Sequence, residues 1–179
     1  MNKTAVLLYP QFSEYELSVA LSILMQGNKP IVTVGESKHP IRGESGLSVI
    51  ADTTFDHVNV NEIDSLLLTG CMNIFSLKNE DEIIHFINET AKEEIMIASI
   101  SSSPYLLAKA GVLKGKKYTV GLTLEARKGS GVFEAENYSE ELIVQDGNII
   151  TARGRGFIDF GTSFGRALNL EFDEKWYQG

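Results

Sequence analysis

The sequence is poor in cysteine and histidine, and both shortages exclude a class of protein. Among 179 residues there is one cysteine, Cys71, and there are three histidines. A lone cysteine cannot form an internal disulfide, which excludes a disulfide-stapled scaffold and leaves no basis for a cysteine-based zinc finger. The histidines, at positions 39, 57 and 85, do not have the spacing of a metal site, so we predict no bound metal.

Basic residues and long apolar runs are also scarce. The chain has 16 Lys and Arg against 24 Asp and Glu, a formal net charge of −8. This balance disfavours nucleic acid and anionic membrane surfaces, because both partners are bound through cationic side chains. No apolar run approaches the roughly 18 residues of a membrane-spanning helix, and the apolar stretch near the amino terminus is shorter than a signal peptide requires. We therefore expect a cytoplasmic protein.

What is present is the composition of an ordinary globular domain. Hydrophobic residues make up 43% of the chain and charged residues 22%, which is typical of such proteins. Domains average roughly 100–200 residues, so the length predicts a single domain that spans residues 1–179.

Short apolar runs alternate with segments of helical periodicity. Buried strands are predicted at residues 4–9, 31–35, 63–68 and 95–100. Helices are predicted at residues 13–25 and 80–92, after Pro104, and at residues 157–170. Hairpins are predicted within residues 38–52 and 141–152, and residues 119–128 are ambiguous. This order implies a doubly wound, mostly parallel sheet with helices on both faces.

Ligands of such sheets bind at the carboxyl ends of the strands. Three of these ends carry polar residues, at positions 9–16, 69–73 and 100–104. Glu16 admits two interpretations at this point. It follows Ser13 by three residues, the spacing of a helix capping box, and it also lies near a strand end where a site would form.

Two segments partly match phosphate-binding motifs, but neither match is complete. Residues 111–117 are one residue short of a P-loop and lack the Ser or Thr that would meet magnesium. Residues 154–159 begin like a dinucleotide fingerprint, but Asp159 stands where the third glycine belongs, and the segment lies far from the first βαβ unit. We therefore predict no cofactor.

One segment carries a specific resemblance. The run Ile-Ala-Ser-Ile-Ser-Ser-Ser-Pro-Tyr-Leu-Leu-Ala and the following Ala-Gly-Val-Leu-Lys-Gly-Lys, within residues 95–119, resemble the nucleophile elbow of the ThiJ/PfpI family. The family pattern is an apolar strand, Ile-Cys-Ala-Gly-Pro and a Leu-Leu-Ala helix. Ser101 stands where the family has its nucleophilic cysteine, and Ser102 and Ser103 stand at the next two positions.

The resemblance extends over nearly the whole chain, in order. Residues 6–16 are similar to the family's first strand and site glutamate, and residues 146–160 to its last strand and helix. Residues 42–70 are similar to its hairpin and to a strand that ends in Pro-Gly-Gly, with Thr69 in place of the proline and Cys71 in place of the second glycine. The resemblance implies a flavodoxin-like α/β fold of the class I glutamine amidotransferase-like type, and a homodimer.

The family's chemistry gives each matching residue an expected role. Its cysteine lies on a strained strand-to-helix turn and is hydrogen-bonded by a carboxylic acid of the first helix, so Ser101 and Glu16 are the candidate catalytic residues. Backbone N–H groups around Gly70, Cys71 and Ser102 are expected to form an oxyanion pocket. Arg153 is expected either to line the mouth of that pocket or to pair with a surface carboxylate.

The departures from the pattern weaken cysteine-type catalysis. A serine hydroxyl ionises several pH units above a thiol, and a helix dipole supplies only about 1 kcal/mol, so Ser101 needs a general base. Glu16 cannot be that base if it is protonated, as it is in the family. The histidine that many members carry is missing, both at Ser102 and within residues 119–123.

Two functions therefore remain open. The first is a divergent ThiJ/PfpI protein without cysteine-based catalysis that acts as a stress-related or small-molecule-binding protein. The alternative is a hydrolase or glyoxalase-like enzyme that acts on reactive carbonyl or acyl substrates through Ser101 or Cys71. Cys71 itself is either an inert, packed side chain or a reactive thiol that has moved to the opposite side of the pocket. A PfpI-type protease needs adjacent Cys and His, which Ser101 and Ser102 do not supply.

Overall fold

A seven-stranded sheet forms the centre of the protein. The computed structural model describes residues 2–92 and 94–178. Its strands are β1 (Lys3–Leu7), β2 (Ile31–Gly35), β3 (Ile41–Arg42), β4 (Ser48–Val49), β5 (Thr53–Thr54), β6 (Ile63–Leu68), β7 (Met96–Ile100), β8 (Ile143–Asp146) and β9 (Ile149–Ala152). The sheet has the order β5-β2-β1-β6-β7-β9-β8, and β3 and β4 form a separate antiparallel pair. Every pairing within the large sheet is parallel except that of β8 with β9.

The described part of the chain forms five α-helices. They are α1 (Glu14–Gln26), α2 (Glu80–Ala91), α3 (Pro104–Lys109), α4 (Leu124–Ser130) and α5 (Phe157–Ala167). α1 packs against α5, and α2 packs against α3. The chain leaves β1 toward one edge of the sheet and β6 toward the other, so right-handed crossovers place α1 and α2 on opposite faces. The doubly wound, flavodoxin-like fold predicted from the sequence is therefore confirmed.

The central strands are apolar because helices cover both of their faces. Leu66, Leu67 and Leu68 of β6 are fully buried, and so are Ile97 and Ala98 of the neighbouring strand β7. Burial of one Leu or Ile side chain contributes about 1.5–3 kcal/mol. This rigid centre holds the carboxyl ends of β1, β6, β7 and β9 beside one another at one edge of the sheet.

The predicted elements agree with the structure in type, and the differences lie at their ends. The strand predicted to reach residue 9 ends at Leu7, so Leu8 and Tyr9 lead from the sheet toward its polar edge. The ambiguous residues 119–128 contain the start of α4, where Thr123 caps the helix by accepting a hydrogen bond from the backbone N–H of Ala126 at 3.1 Å. The short strand β5 was not predicted. No helix among the described residues is long and apolar enough to cross a membrane.

Candidate active site

Ser101 lies on a strained turn directly after β7. Its φ is +64°, in the left-handed region that residues other than glycine rarely occupy. Two hydrogen bonds hold this backbone in place: the Ser101 N–H donates to the carbonyl of Ala152 at 2.8 Å, and the Ser101 carbonyl accepts from the N–H of Gly121 at 2.6 Å. We call this turn the elbow. It has the strained strand-to-helix geometry that the sequence predicts for a nucleophile position.

Two glycines leave room for the elbow side chain. A Cβ atom at Gly70 would lie 2.8 Å from the Ser101 Cβ and 2.9 Å from both the Ser101 Oγ and the Glu16 Oε2. A Cβ atom at Gly154 would lie 2.8 Å from the Glu16 Oε1 and 3.3 Å from the Ser101 Oγ. Residues with side chains do not tolerate contacts below 3.0 Å, so the site depends on glycine at both positions. Ser101, Glu16 and Gly70 therefore lie in close contact at the elbow.

Glu16 is a buried acid at the centre of these contacts, with only 3% of its surface exposed. Its Oε2 accepts hydrogen bonds from the Gly70 N–H at 2.8 Å and the Thr69 hydroxyl at 2.9 Å, and its Oε1 accepts one from the Tyr15 hydroxyl at 3.3 Å. Burial raises the pKa of Glu16 above its ordinary value, although these contacts and a hydrogen bond from Ser101 oppose the shift. The net direction is upward, so at a given pH a larger fraction of Glu16 is protonated than of an ordinary glutamate.

Thr69 contacts both Glu16 and Ser13 through its side chain. Its hydroxyl has a single proton, yet it lies 3.0 Å from the carbonyl oxygen of Ser13 and 2.9 Å from the Glu16 Oε2. A carbonyl can only accept. The Thr69 hydroxyl can donate to only one of these two oxygens at a time, so the hydrogen bond that stabilises the Glu16 carboxylate is shared with the Ser13 carbonyl.

The capping-box interpretation of Glu16 is wrong. The Ser13 side chain makes no cap hydrogen bond to α1 and instead donates to the Glu44 carboxylate at 2.7 Å. The Ser13 N–H, which Glu16 would accept in a capping box, donates to the Gly70 carbonyl at 2.9 Å. The loop after β6 packs against the start of α1, and its hydrogen bonds take the place of those of a capping box.

Cys71 and Ser102 face each other across the predicted oxyanion pocket. The backbone N–H of Cys71 donates to the Ser102 Oγ at 3.3 Å, and Ser102 is buried. The donor that would stabilise an oxyanion is thus occupied by the protein's own hydroxyl. Burial raises the pKa of the Cys71 thiol to about 12, and the nearby carboxylates of Glu16 and Glu44 act in the same direction. A thiol of that pKa is protonated at neutral pH, which favours the inert interpretation.

Neither of the two roles predicted for Arg153 describes its contacts fully. Its backbone lies at the site, since it directly precedes Gly154. Its guanidinium, however, donates to the hydroxyl of Tyr138 at 2.8 Å. None of the described carboxylates forms an ion pair with it. The pairing with a surface carboxylate is therefore wrong, and Arg153 is tied to an aromatic ring beside the elbow.

Sequence reasoning missed two tyrosines that help to build the site. Tyr15 bonds to the Glu16 carboxyl, and the buried hydroxyl of Tyr9 donates to the Thr69 carbonyl. The available signal was position: Tyr9 lies just beyond β1, at the sheet edge where ligands bind. Burial raises the pKa of Tyr9 well above its ordinary value, so it remains a neutral, structural donor.

No imidazole is among the hydrogen-bond partners described for Ser101. Residues 119–123, where the resemblance would place a histidine, do approach the elbow, but the contact is made by Gly121, which has no side chain. His57 pairs with Asp56 and Thr54 beyond the edge strand β5, four positions from β7 in the sheet. The described residues also contain no group of acids, Cys or His that could hold a metal ion.

Comparison with known proteins identifies the family. The model of the DJ-1/PfpI family matches residues 2–166. The chain belongs to the DJ-1/PfpI family. It is 27% identical over 146 residues to the deglycase PfpI of Pyrococcus furiosus, covering 82% of this chain and 86% of that protein. It is also 27% identical over 155 residues to protein/nucleic acid deglycase 2 of Escherichia coli, covering 85% and 88%.

Solved structures of the DJ-1/PfpI family share the fold. A DJ-1 superfamily protein from Agrobacterium tumefaciens superposes with a TM-score of 0.87 at 21% identity, covering 98% of this chain and 94% of that one. A ThiJ/PfpI family protein from Bacillus anthracis gives a TM-score of 0.86 at 23% identity, covering 98% and 88%. Both the family and the fold predicted from the sequence are therefore confirmed.

Proposed function

We propose that this DJ-1/PfpI protein binds a small molecule at the elbow and lacks the cysteine-based catalysis of its family. The observation that carries the proposal is the surroundings of the Ser101 hydroxyl. It contacts a buried carboxyl whose pKa is raised, and its described partners include no imidazole. Serine attack requires removal of the hydroxyl proton by a base within hydrogen-bond reach. On this proposal Glu16 keeps its proton at neutral pH, and a protonated acid cannot accept the proton of Ser101.

The same groups suit noncovalent binding of a polar small molecule. The Ser101 hydroxyl can donate to or accept from a ligand oxygen, and the Glu16 acid supplies polar contact behind it. The Cys71 N–H, bonded to Ser102, is not free to stabilise the negative charge of a tetrahedral intermediate. A carbonyl compound at the elbow would be held there without being activated.

The enzyme alternative is supported by one observation, the strained elbow itself. A φ of +64° at Ser101 is the kind of conformation that displays a nucleophile, and such strain clusters at functional sites. Cys71 is a weaker candidate, because burial raises its pKa to about 12.

Methylglyoxal consumption at neutral pH distinguishes these functions. The proteins to compare are the wild type, Ser101→Ala and Cys71→Ala. We expect no consumption above the buffer rate for any of the three. Wild-type turnover that disappears in Ser101→Ala would contradict the proposal and name Ser101 as the nucleophile, and loss in Cys71→Ala alone would name Cys71.

We also propose that the protein is a cytoplasmic homodimer that pairs through an apolar face beside the β3–β4 hairpin. Leu47 and Ile50 are 58% and 62% exposed, and they border a groove of about 240 Å³ whose floor includes Leu8, Phe12 and Leu17. Exposed apolar patches of this kind mark interaction surfaces. Light scattering should give twice the chain mass for the wild type and the chain mass for Leu47→Glu, and a monomeric wild type at micromolar concentration would contradict the dimer.

A further inference from the structure

A cavity lies between α4 and the segment that precedes β8. Its volume is about 200 Å³, and its walls include Tyr118, Leu124, Arg127, Phe133 and Tyr138. Tyr118 and Phe133 form a stacked pair, with ring centroids 5.2 Å apart and an interplanar angle of 23°. A cavity of about 150 Å³ accommodates one benzene molecule, so this one has room for a single ring with a substituent.

Two arginines hold the same tyrosine of this cavity. The Arg127 guanidinium lies over the face of Tyr138, 3.5 Å from the ring centroid. The Arg153 guanidinium donates to the Tyr138 hydroxyl at 2.8 Å. We call these three residues the arginine clamp.

The positive charge of the clamp is not neutralised by ion pairing. Among residues 2–92 and 94–178, neither Arg127 nor Arg153 takes part in an ion pair, although acidic residues exceed basic ones by eight over the whole chain. Lys128 adds a further cation to the cavity wall. Like charges held around one ring repel each other, and an anion placed between them would relieve that repulsion.

The described residues that line this cavity include no acid. The carboxylate of Glu134 accepts from the Gly115 N–H at 2.6 Å and from the Asn137 amide at 2.7 Å. Glu134 lines a separate cavity, on the other side of the Tyr118–Phe133 pair. Glu136 is exposed to solvent. Arg127 and Lys128 line the cavity, and the Arg153 guanidinium reaches the hydroxyl of Tyr138 in the cavity wall.

The clamp is joined to the elbow through the backbone. Gly121, whose N–H donates to the Ser101 carbonyl at 2.6 Å, lies three residues before the start of α4 and so fixes the helix that carries Arg127. Arg153 precedes Gly154, which leaves space for the Ser101 side chain. The elbow and the clamp therefore share backbone supports on both the Arg127 and the Arg153 side.

We propose that the arginine clamp and its cavity bind a small organic acid that consists of one apolar ring and a carboxylate. The guanidinium fork matches a carboxylate with two parallel hydrogen bonds, and the Tyr118 and Phe133 rings offer offset or edge contacts to a ligand ring. This inference goes beyond the proposed function because it needs neither the Ser101 hydroxyl nor Glu16.

Calorimetric titration of the whole protein with benzoate tests the proposal. We expect saturable binding, weakened about tenfold or more in Arg127→Gln and in Arg153→Gln, because each variant loses a charge-assisted hydrogen bond. Benzyl alcohol, which has the same ring without the charge, should bind about tenfold more weakly than benzoate. Arg155→Gln is the matched control, since it removes the same charge from an exposed position two residues from Arg153 and should leave binding unchanged.

The remaining outcomes are also decisive. Absence of saturable benzoate binding at millimolar concentration would overturn the proposal, and so would equal affinity for benzyl alcohol or equal weakening in Arg155→Gln. Arg127→Lys, which keeps the charge but loses the planar fork, should retain the fold and bind more weakly than the wild type. Arg127→Gln and Arg153→Gln leave Ser101 and Glu16 unchanged, so failure of this proposal and failure of the elbow proposal are separable.

Discussion

The elbow and the loop that faces it place two different nucleophilic atoms on opposite sides of one site. Ser101 is strained and half-buried, with its hydroxyl beside Glu16 and two glycines. Cys71 has the intrinsically better nucleophile, but its surroundings raise the thiol pKa to about 12. The difference between the two residues shows that reactivity requires both the atom and its environment. In this chain the strained turn that would display a nucleophile is at Ser101, whereas the more nucleophilic atom, sulfur, is at Cys71.

The largest expected effect is on the rate of thiol alkylation, when the cysteine is moved from position 71 to the elbow position 101. A thiol of pKa about 12 is almost entirely protonated at neutral pH, whereas an ordinary cysteine has a thiolate fraction of a few per cent. We expect Ser101→Cys in a Cys71→Ala background to react with iodoacetamide about a thousandfold faster than wild-type Cys71. Mass spectrometry of the alkylated protein measures both rates, and equal rates would mean that the elbow gives no advantage to a thiol.

Filling the space between the elbow and the loop that faces it should lower the free energy of unfolding. Gly70→Ala puts a Cβ within 2.9 Å of both Ser101 and Glu16, and such overpacking costs about 1–3 kcal/mol. Gly129→Ala is the matched control, because nothing lies within 4 Å of its added Cβ and alanine favours the helix by about 0.5–1 kcal/mol. Urea unfolding should show a loss for the first variant and none for the second. A neutral Gly70→Ala would contradict the close approach.

The buried acid should make stability depend on pH. Because the pKa of Glu16 is raised by folding, its contribution is fully present below the unfolded value and is lost as the pH rises through the folded value. Each tenfold decrease in the ionisation constant of an acid on folding corresponds to about 1.4 kcal/mol in the free energy of unfolding. The wild type should therefore lose stability relative to Glu16→Gln as the pH rises above about 4.3, the ordinary pKa of glutamate. Unfolding free energies measured at several pH values would contradict this if the difference between the two proteins were constant.

The smallest expected effects, on stability and on turnover, follow from removing the hydroxyl that accepts a hydrogen bond from the Cys71 N–H. Ser102→Ala removes the hydroxyl that this N–H meets at 3.3 Å, which costs about 0.5–1.5 kcal/mol of stability. In a Ser101→Cys background the freed donor should increase methylglyoxal turnover relative to Ser101→Cys alone. An unchanged rate would mean that the Cys71 N–H does not serve the oxyanion even when it is available.

Local patterns predict the scaffold of this protein well. The strands β2 and β6 have the predicted bounds, because short, mostly apolar runs bounded by turn residues are typical of strands. The resemblance at residues 95–119 also locates the elbow, whose strain follows from the sharp change from β7 to α3.

The contacts that decide the chemistry are long-range and could not be predicted from local patterns. Glu16 had two local interpretations, and the approach of Thr69 and Gly70, more than fifty positions away, decides between them. The bond of Ser102 to the Cys71 N–H and that of Arg153 to Tyr138 likewise join separate segments. Hydrogen-bond partners of this kind depend on the packed fold rather than on spacing.

The proposed function rests on Glu16 being an acid rather than a base. A carbon-13 titration of the side-chain carboxyls, with Glu16→Gln to assign the signal, measures this directly in the folded protein. We predict that burial raises the pKa of Glu16 above its ordinary value and that the carboxyl keeps its proton at neutral pH. A Glu16 carboxyl that is ionised at neutral pH, whatever the size of the shift, would supply Ser101 with a base and would contradict the proposal that the elbow binds without catalysing.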